Sequence, residues 1–171
     1  MIWKGNLAKI INESGYSDRQ IFAWTGISTP VISNMSNQKH DSLKVDQFIK
    51  LKLLLKKDHE DFVYEIFGKQ YFSSVRKVER PDKLTKLGKI LTDQYSYEKL
   101  PKKELSRATG LPSSRINYIV EEEDETIKID ELTKIELALE RPLGTLVKKR
   151  FSKIKLNTQR QYEAALKKLK E

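Results

Sequence analysis

The chain has 171 residues, with 33 basic and 24 acidic side chains, a formal net charge of +9 and no cysteine. The lack of cysteine excludes a disulfide framework and a thiolate metal site and suits a reducing compartment. The opening MIWKGN has no apolar signal core, and no run approaches the ~20 apolar residues of a membrane span. The expectation is a cytoplasmic protein of one large or two small domains, away from membranes.

Hydrophobic periodicity is helical nearly throughout, so the expected fold class is all-α. Leu7, Ile10 and Ile11 make a first amphipathic stripe that ends at Ser14-Gly15. Ser17 is placed to cap a second helix and Ser28 a third. Pro30 is tolerated in the first turn, where its missing N–H is not required. From Ile21 to Met35 the chain reads IFAWTGISTPVISNM. Gly26 stops one helix, and the next begins within about three residues. Ile21, Ile27, Ile32 and Met35 then face inward, and Thr29, Ser33 and Asn34 are left on the outer face of the third helix. Asn37 to Asp41 form a polar loop. Phe48, Leu51, Leu54 and Leu55 mark a fourth helix, and Phe62, Val63, Ile66 and Phe67 a fifth that Gly68 ends.

Lys69 to Asp82 reads as a linker, after which Leu84, Leu87, Ile90 and Leu91 repeat the first stripe. From Leu105 to Ile119 the chain reads LSRATGLPSSRINYI, the same grammar as Ile21 to Met35. At a constant offset of 84, about 10 of 50 positions are identical between Asp18–Phe67 and Lys102–Phe151. They include Thr25/Thr109, Gly26/Gly110, Ile32/Ile116, Asp46/Asp130, Lys50/Lys134, Leu53/Leu137 and Phe67/Phe151. We read an internal duplication: a first unit over 1–68, a linker over 69–82, a second unit over 83–151 and a basic C-terminal helix within 152–171. The one length change is an insertion of about four residues around Tyr97 to Leu100. A unit this small buries only about 60 % of its chain surface, so contacts between units are expected to matter.

In the tail, Thr158 and Gln161 have capping-box spacing, and Tyr162, Ala165, Leu166 and Leu169 share one face. So short a helix is unstable alone and must dock: on its own body, on a second copy in a homodimer, or along phosphates. Charge separates the segments. Residues 1–80 carry 13 basic and 9 acidic side chains, 81–147 carry 11 and 13, and 148–171 carry 9 and 2. The first unit and the tail are therefore the electrostatic candidates for nucleic acid.

The two repeated segments resemble the lambda-repressor-like (XRE) helix-turn-helix family. The resemblance rests on TGIS…VIS and TGLPSSRI, and on a following helix that begins SLKVDQFIKL in the first unit and TIKIDELTKI in the second. Phe22 stands where that family usually has alanine, and Ser36 and Val120 where it often has glutamate. The resemblance implies two five-helix domains, double-stranded DNA as the partner and transcriptional regulation of repressor type. It places the helix from Thr29 to Met35 in a major groove. There Asn34 would read an adenine edge, Thr29 and Ser33 would read more weakly beside Pro30, and Gln38 and Lys39 would lie at the backbone, Lys39 on a phosphate. Ser113, Ser114, Arg115, Asn117 and Tyr118 are the candidates in the second unit, with Asn117 as reader and Arg115 and Lys102 as phosphate contacts.

In the family the loop after this helix lies near the phosphates, and Glu121 to Glu125 put five carboxylates there in the second unit. A protein partner at that acidic loop is the competing expectation: a module of antitoxin, anti-repressor or adaptor type. No catalysis, cofactor or metal is expected. His40 and His59 are the only histidines, no nucleophile stands beside either, and no phosphate-cradling glycine loop occurs.

Overall fold

A computed structural model describes residues 2–78, 102–121 and 126–169. Among them the regular structure is helical throughout, and no helix is long and apolar enough to cross a membrane. The expected stripe Leu84, Leu87, Ile90 and Leu91, the insertion around Tyr97 to Leu100 and the carboxylates from Glu122 to Glu125 lie outside the described residues.

Helix α1 (Ile2–Glu13) buries Trp3, Leu7 and Ile11 at four-residue spacing and packs on the third and fifth helices. Helix α2 (Asp18–Thr25) opens on a capping box: Ser17 Oγ accepts from Gln20 N–H, and Gln20 Oε1 accepts from Ser17 N–H at 2.9 Å. Ser28 has the extended backbone of a cap before α3 (Thr29–Ser36), yet its side chain makes no capping bond. Pro30 removes one of the two amides that such a cap would serve, and the other, that of Val31, is not bonded by Ser28 either. Helices α4 (Val45–Leu54) and α5 (His59–Phe67) close the first half around Phe48 and Phe62, whose rings lie 5.1 Å apart.

In the second half α6 (Lys102–Thr109), α7 (Ser113–Glu121), α8 (Ile129–Ala138) and α9 (Thr145–Arg150) stand at the 84-residue offset from α2 to α5, and α10 (Gln159–Lys168) follows. One substitution between the halves is compensated. Asp58 caps α5 by accepting from the amides of Glu60 and Asp61, but its counterpart at the 84-residue offset is Pro142. Glu136, fully buried on α8, takes over: its carboxylate accepts from Gly144 N–H at 2.7 Å and Leu146 N–H at 2.6 Å.

The halves share one continuous apolar core. At their seam Val45 N–H donates to Ile127 O at 2.9 Å, and Ile129 N–H donates to Leu43 O at 3.0 Å. Lys44 thereby bridges Lys128 in antiparallel fashion. Lys44 and Lys128 are counterparts, as are the two donors Val45 and Ile129 and the two acceptors Ile127 and Leu43, which is the reciprocity of an isologous contact. The chain ends of the halves cross reciprocally as well. After α5, Arg76 N–H donates to Ala108 O at 2.8 Å, and after α9, Asn157 N–H donates to Trp24 O at 2.8 Å. Trp24 and Ala108 are again counterparts. Residues 69–78, expected as linker, are part of this packing. Lys69–Phe72 is a 3₁₀ turn that buries Phe72, and its Tyr71 hydroxyl donates to Asp130 of α8 at 3.0 Å.

His59 lies in the seam, edge-on to Phe48 at 5.2 Å and against Gly144, with Nε2 buried and unbonded among the described residues. Burial pushes its imidazole down to about 4, Lys52 and Lys148 add to the effect, and Asp58 opposes it. Between pH 6.5 and 4 the unfolded chain therefore binds a proton here that the folded chain refuses. Stability is full above pH 6.5 and declines as pH falls through this window, by about 3 kcal/mol at most. The Glu136 carboxyl, raised by burial, contributes stability that is instead lost as pH rises. Urea unfolding of His59→Leu, which installs the residue type of counterpart Leu143, should show a flatter dependence between pH 7 and 4.5 than the parent. An unchanged slope would remove His59 as its source.

Candidate nucleic-acid interface

Both Thr-Gly corners are built the same way. Thr25 Oγ1 donates to Ile21 O at 2.6 Å and accepts from Ile27 N–H at 3.1 Å. Thr109 Oγ1 donates to Leu105 O at 2.7 Å and accepts from Leu111 N–H at 3.2 Å. One buried hydroxyl thus ties the last turn of a helix to the first residue beyond the corner, at no cost in unpaired polar atoms. Gly26 and Gly110 follow at φ of +69° and +72°, the left-handed conformation that a side chain disfavours. Beyond each corner the next helix packs back on the one before it, α3 on α2 and α7 on α6.

On α3 the inward side chains Ile32 and Met35 are buried, while Pro30 and Asn34 are exposed and Thr29 and Ser33 half-buried. Asn37 Nδ2 donates to Ser33 O at 2.9 Å and to Ser33 Oγ at 3.3 Å, so the Ser33 hydroxyl is already engaged. The chain then folds back on the helix end, with Lys39 N–H donating to Asn34 O at 2.8 Å. Asn34, exposed Gln38 and exposed Lys39 are thereby gathered at the C-terminal end of α3, and Thr29 and Pro30 lie at its start. This face can offer an amide and an ammonium to one surface.

The α7 face is different. Ser113 and Ser114 are exposed in its first turn. Arg115 is held in a bidentate pair with Glu131, Nε to Oε1 at 2.8 Å and Nη2 to Oε2 at 2.7 Å. Its Nη2 also donates to Thr126 O, and its guanidinium lies 5.0 Å from the centre of the half-buried Tyr118 ring. Glu131 is 5 % exposed, and a carboxylate that deep demands such a partner. The counterparts Val31 and Gln47 carry no charge; Gln47 Oε1 accepts from Lys44 N–H at 3.2 Å and meets His40 Nε2 at 3.2 Å. Asn117 is half-buried, and its Oδ1 is buried with no donor among the described residues. Lys102 is half-buried at the start of α6.

The tail docks on its own body. Helix α10 lies along α2, with the Tyr162 ring stacked 4.2 Å from that of Trp24 and Asn157 Nδ2 donating to Ala23 O at 2.8 Å. Thr158 and Gln161 form the expected capping box, and Tyr162, Ala165, Leu166 and Leu169 are half-buried. Trp24 was not singled out from sequence. A signal existed, because Ile21, Phe22 and Trp24 cannot all share one face of α2. The docked tail puts exposed Arg160, Lys167 and Lys168 on a helix that borders the first corner.

Comparison of the chain with family models, with curated proteins and with solved structures finds no match. No group of three His, Asp or Glu side chains that could hold a metal occurs among the described residues.

Deleting 157–171 should expose Trp24 while Trp3, only 4 % exposed, stays covered. The expected result is a red-shifted tryptophan emission and a loss of about 1–3 kcal/mol, since α10 buries no side chain completely. Unchanged emission would mean that the tail does not rest on α2 in solution.

Proposed function

We propose that this chain is a sequence-specific double-stranded-DNA-binding protein, a transcriptional regulator of repressor type, as its resemblance to XRE helix-turn-helix proteins implies. The observation that carries the reading is the corner that occurs twice with the same hydroxyl bonds and the same left-handed glycine. In the first half it presents an exposed polar helix with a cation at its end. Asn34 carries the donor and acceptor pair that matches an adenine edge in the major groove, and Lys39 meets a phosphate. Arg19, exposed in the first turn of α2, and the cations of the docked tail add phosphate contacts.

Gel shifts on selected and random duplex test this. Asn34→Ala should weaken binding to the preferred site by about 1–3 kcal/mol and hardly alter binding to random duplex, whereas Lys39→Ala should weaken both alike. The log–log salt slope should approach −0.9 per phosphate neutralised. Equal losses for Asn34→Ala on both duplexes would strike it from the readers, and a slope near zero would sink the DNA reading.

A protein-binding second half is the other reading, and the locked Arg115 and half-buried Asn117 favour it. The proposed partner would meet the acidic stretch that begins at Glu121. Because the halves share a core, the comparison belongs in the full chain. If Ser113→Ala with Ser114→Ala leaves duplex affinity unchanged where Asn34→Ala lowers it, α7 does not read DNA.

A further inference from the structure

Resting on the DNA-binding reading, we infer that a single chain, without a second copy, occupies a bipartite duplex site whose two halves are unequal. The seam supplies the geometry. Val45 bonds Ile127 and Ile129 bonds Leu43, so the contact is reciprocal about a local two-fold axis between Lys44 and Lys128. The crossing segments also meet counterpart carbonyls, those of Trp24 and Ala108, although their donors Arg76 and Asn157 lie 81 rather than 84 residues apart, so the correspondence there is out of register by three residues. The two-fold axis at the bridge relates α3 to α7. B-form duplex has two-fold axes perpendicular to its own, so a two-fold protein can set both helices against one site about a helical turn long.

The surfaces that would pair two copies in this way are used inside the chain. Leu43, Val45, Ile127 and Ile129 are all buried, and both backbone donors of the bridge are bonded. Among the described residues the bridge therefore leaves a second copy no vacant backbone donor or apolar face at Leu43, Val45, Ile127 and Ile129. The halves are then unequal in what they present. Asn34 is exposed with Gln38 and Lys39 beside it, whereas Arg115 is clamped by Glu131 and Asn117 is half-buried. Base selectivity belongs to the half-site under α3. With Arg115 and Asn117 withdrawn, the half-site under α7 is left to the short hydroxyls of exposed Ser113 and Ser114, which discriminate little.

The test uses the intact chain on duplexes selected from a random pool. Native mass spectrometry should count one chain per duplex, and hydroxyl-radical footprinting should show two protected patches about 10 base pairs apart with base preference concentrated in one. Two chains per duplex, a single patch, or equal preference in both patches overturns the inference while leaving DNA binding intact. If no duplex is retained at low salt, the functional reading falls and takes the inference with it.

A second arm opens the seam. Val45 and Ile129 are the first residues of α4 and α8, and Lys44 and Lys128 before them are already extended, at ψ of 153° and 147°. Both helices can therefore begin with proline, which deletes the two bridging N–H groups. The double variant Val45→Pro with Ile129→Pro should keep its helical circular dichroism, bind the bipartite site at least tenfold more weakly, and lose protection only under α7. An unchanged two-part footprint at unchanged affinity would overturn the role given to the seam.

Discussion

Glu136→Ala should destabilise the folded chain by about 3–5 kcal/mol, the largest loss expected from any single carboxylate here. Its side chain is fully buried and accepts from the amides of Gly144 and Leu146. Alanine would leave both donors without an acceptor and open a cavity, and each bond to a charged group is worth about 1.5–3 kcal/mol. Burial raises the Glu136 carboxyl above its ordinary range, and the two amides with Arg141 pull it back. Glu136→Gln keeps one acceptor at nearly the same volume and should lose about 1–3 kcal/mol. Urea unfolding at pH 7 decides the matter: an alanine variant within about 1 kcal/mol of the parent would show that water replaces the carboxylate freely.

Gly144→Ala should cost about 2–4 kcal/mol and loosen the contact between the halves. The residue sits at φ of +87°, where a side chain is strained, and a Cβ there would lie 2.8 Å from Cγ of His59. That carbon is the root of a ring wedged against Phe48, so it cannot swing aside as a chain end could. A double-mutant cycle separates the two causes. Adding His59→Ala should recover the steric part and leave the backbone part, a coupling of about 1–2 kcal/mol. Strict additivity would place the whole cost in the backbone of Gly144.

Local physics made much of the fold legible. The stripe of Leu7 and Ile11, the cap at Ser17, the capping box at Thr158, and the stops at Gly26 and Gly68 each depend on residues within one turn of one another, so spacing alone reveals them. The corner was legible for the same reason, since Thr25 bonds only to residues two and four positions away. The exception among the caps is instructive: Ser28 has the right type and backbone, yet Pro30 two positions on removes an amide it would serve.

What the sequence by itself determined is therefore the all-helical class, the order of the helices and the identity of the corner residues, because these follow from short-range hydrogen bonds and a 3.6-residue period. Only the tertiary structure decided which charges and polar groups remain available. Arg115 and Glu131 are 16 residues apart, and their part-buried bidentate pairing engages the guanidinium that the resemblance expects on a phosphate. Asn157 reaches Ala23 across 134 residues, which seats the basic tail on α2. Lys44 meets Lys128 because Leu43, Val45, Ile127 and Ile129 must all leave water together. Such contacts have no period in sequence: burial of apolar surface drives them without specifying partners, and the polar groups carried inward must then pair with whatever the fold brings near.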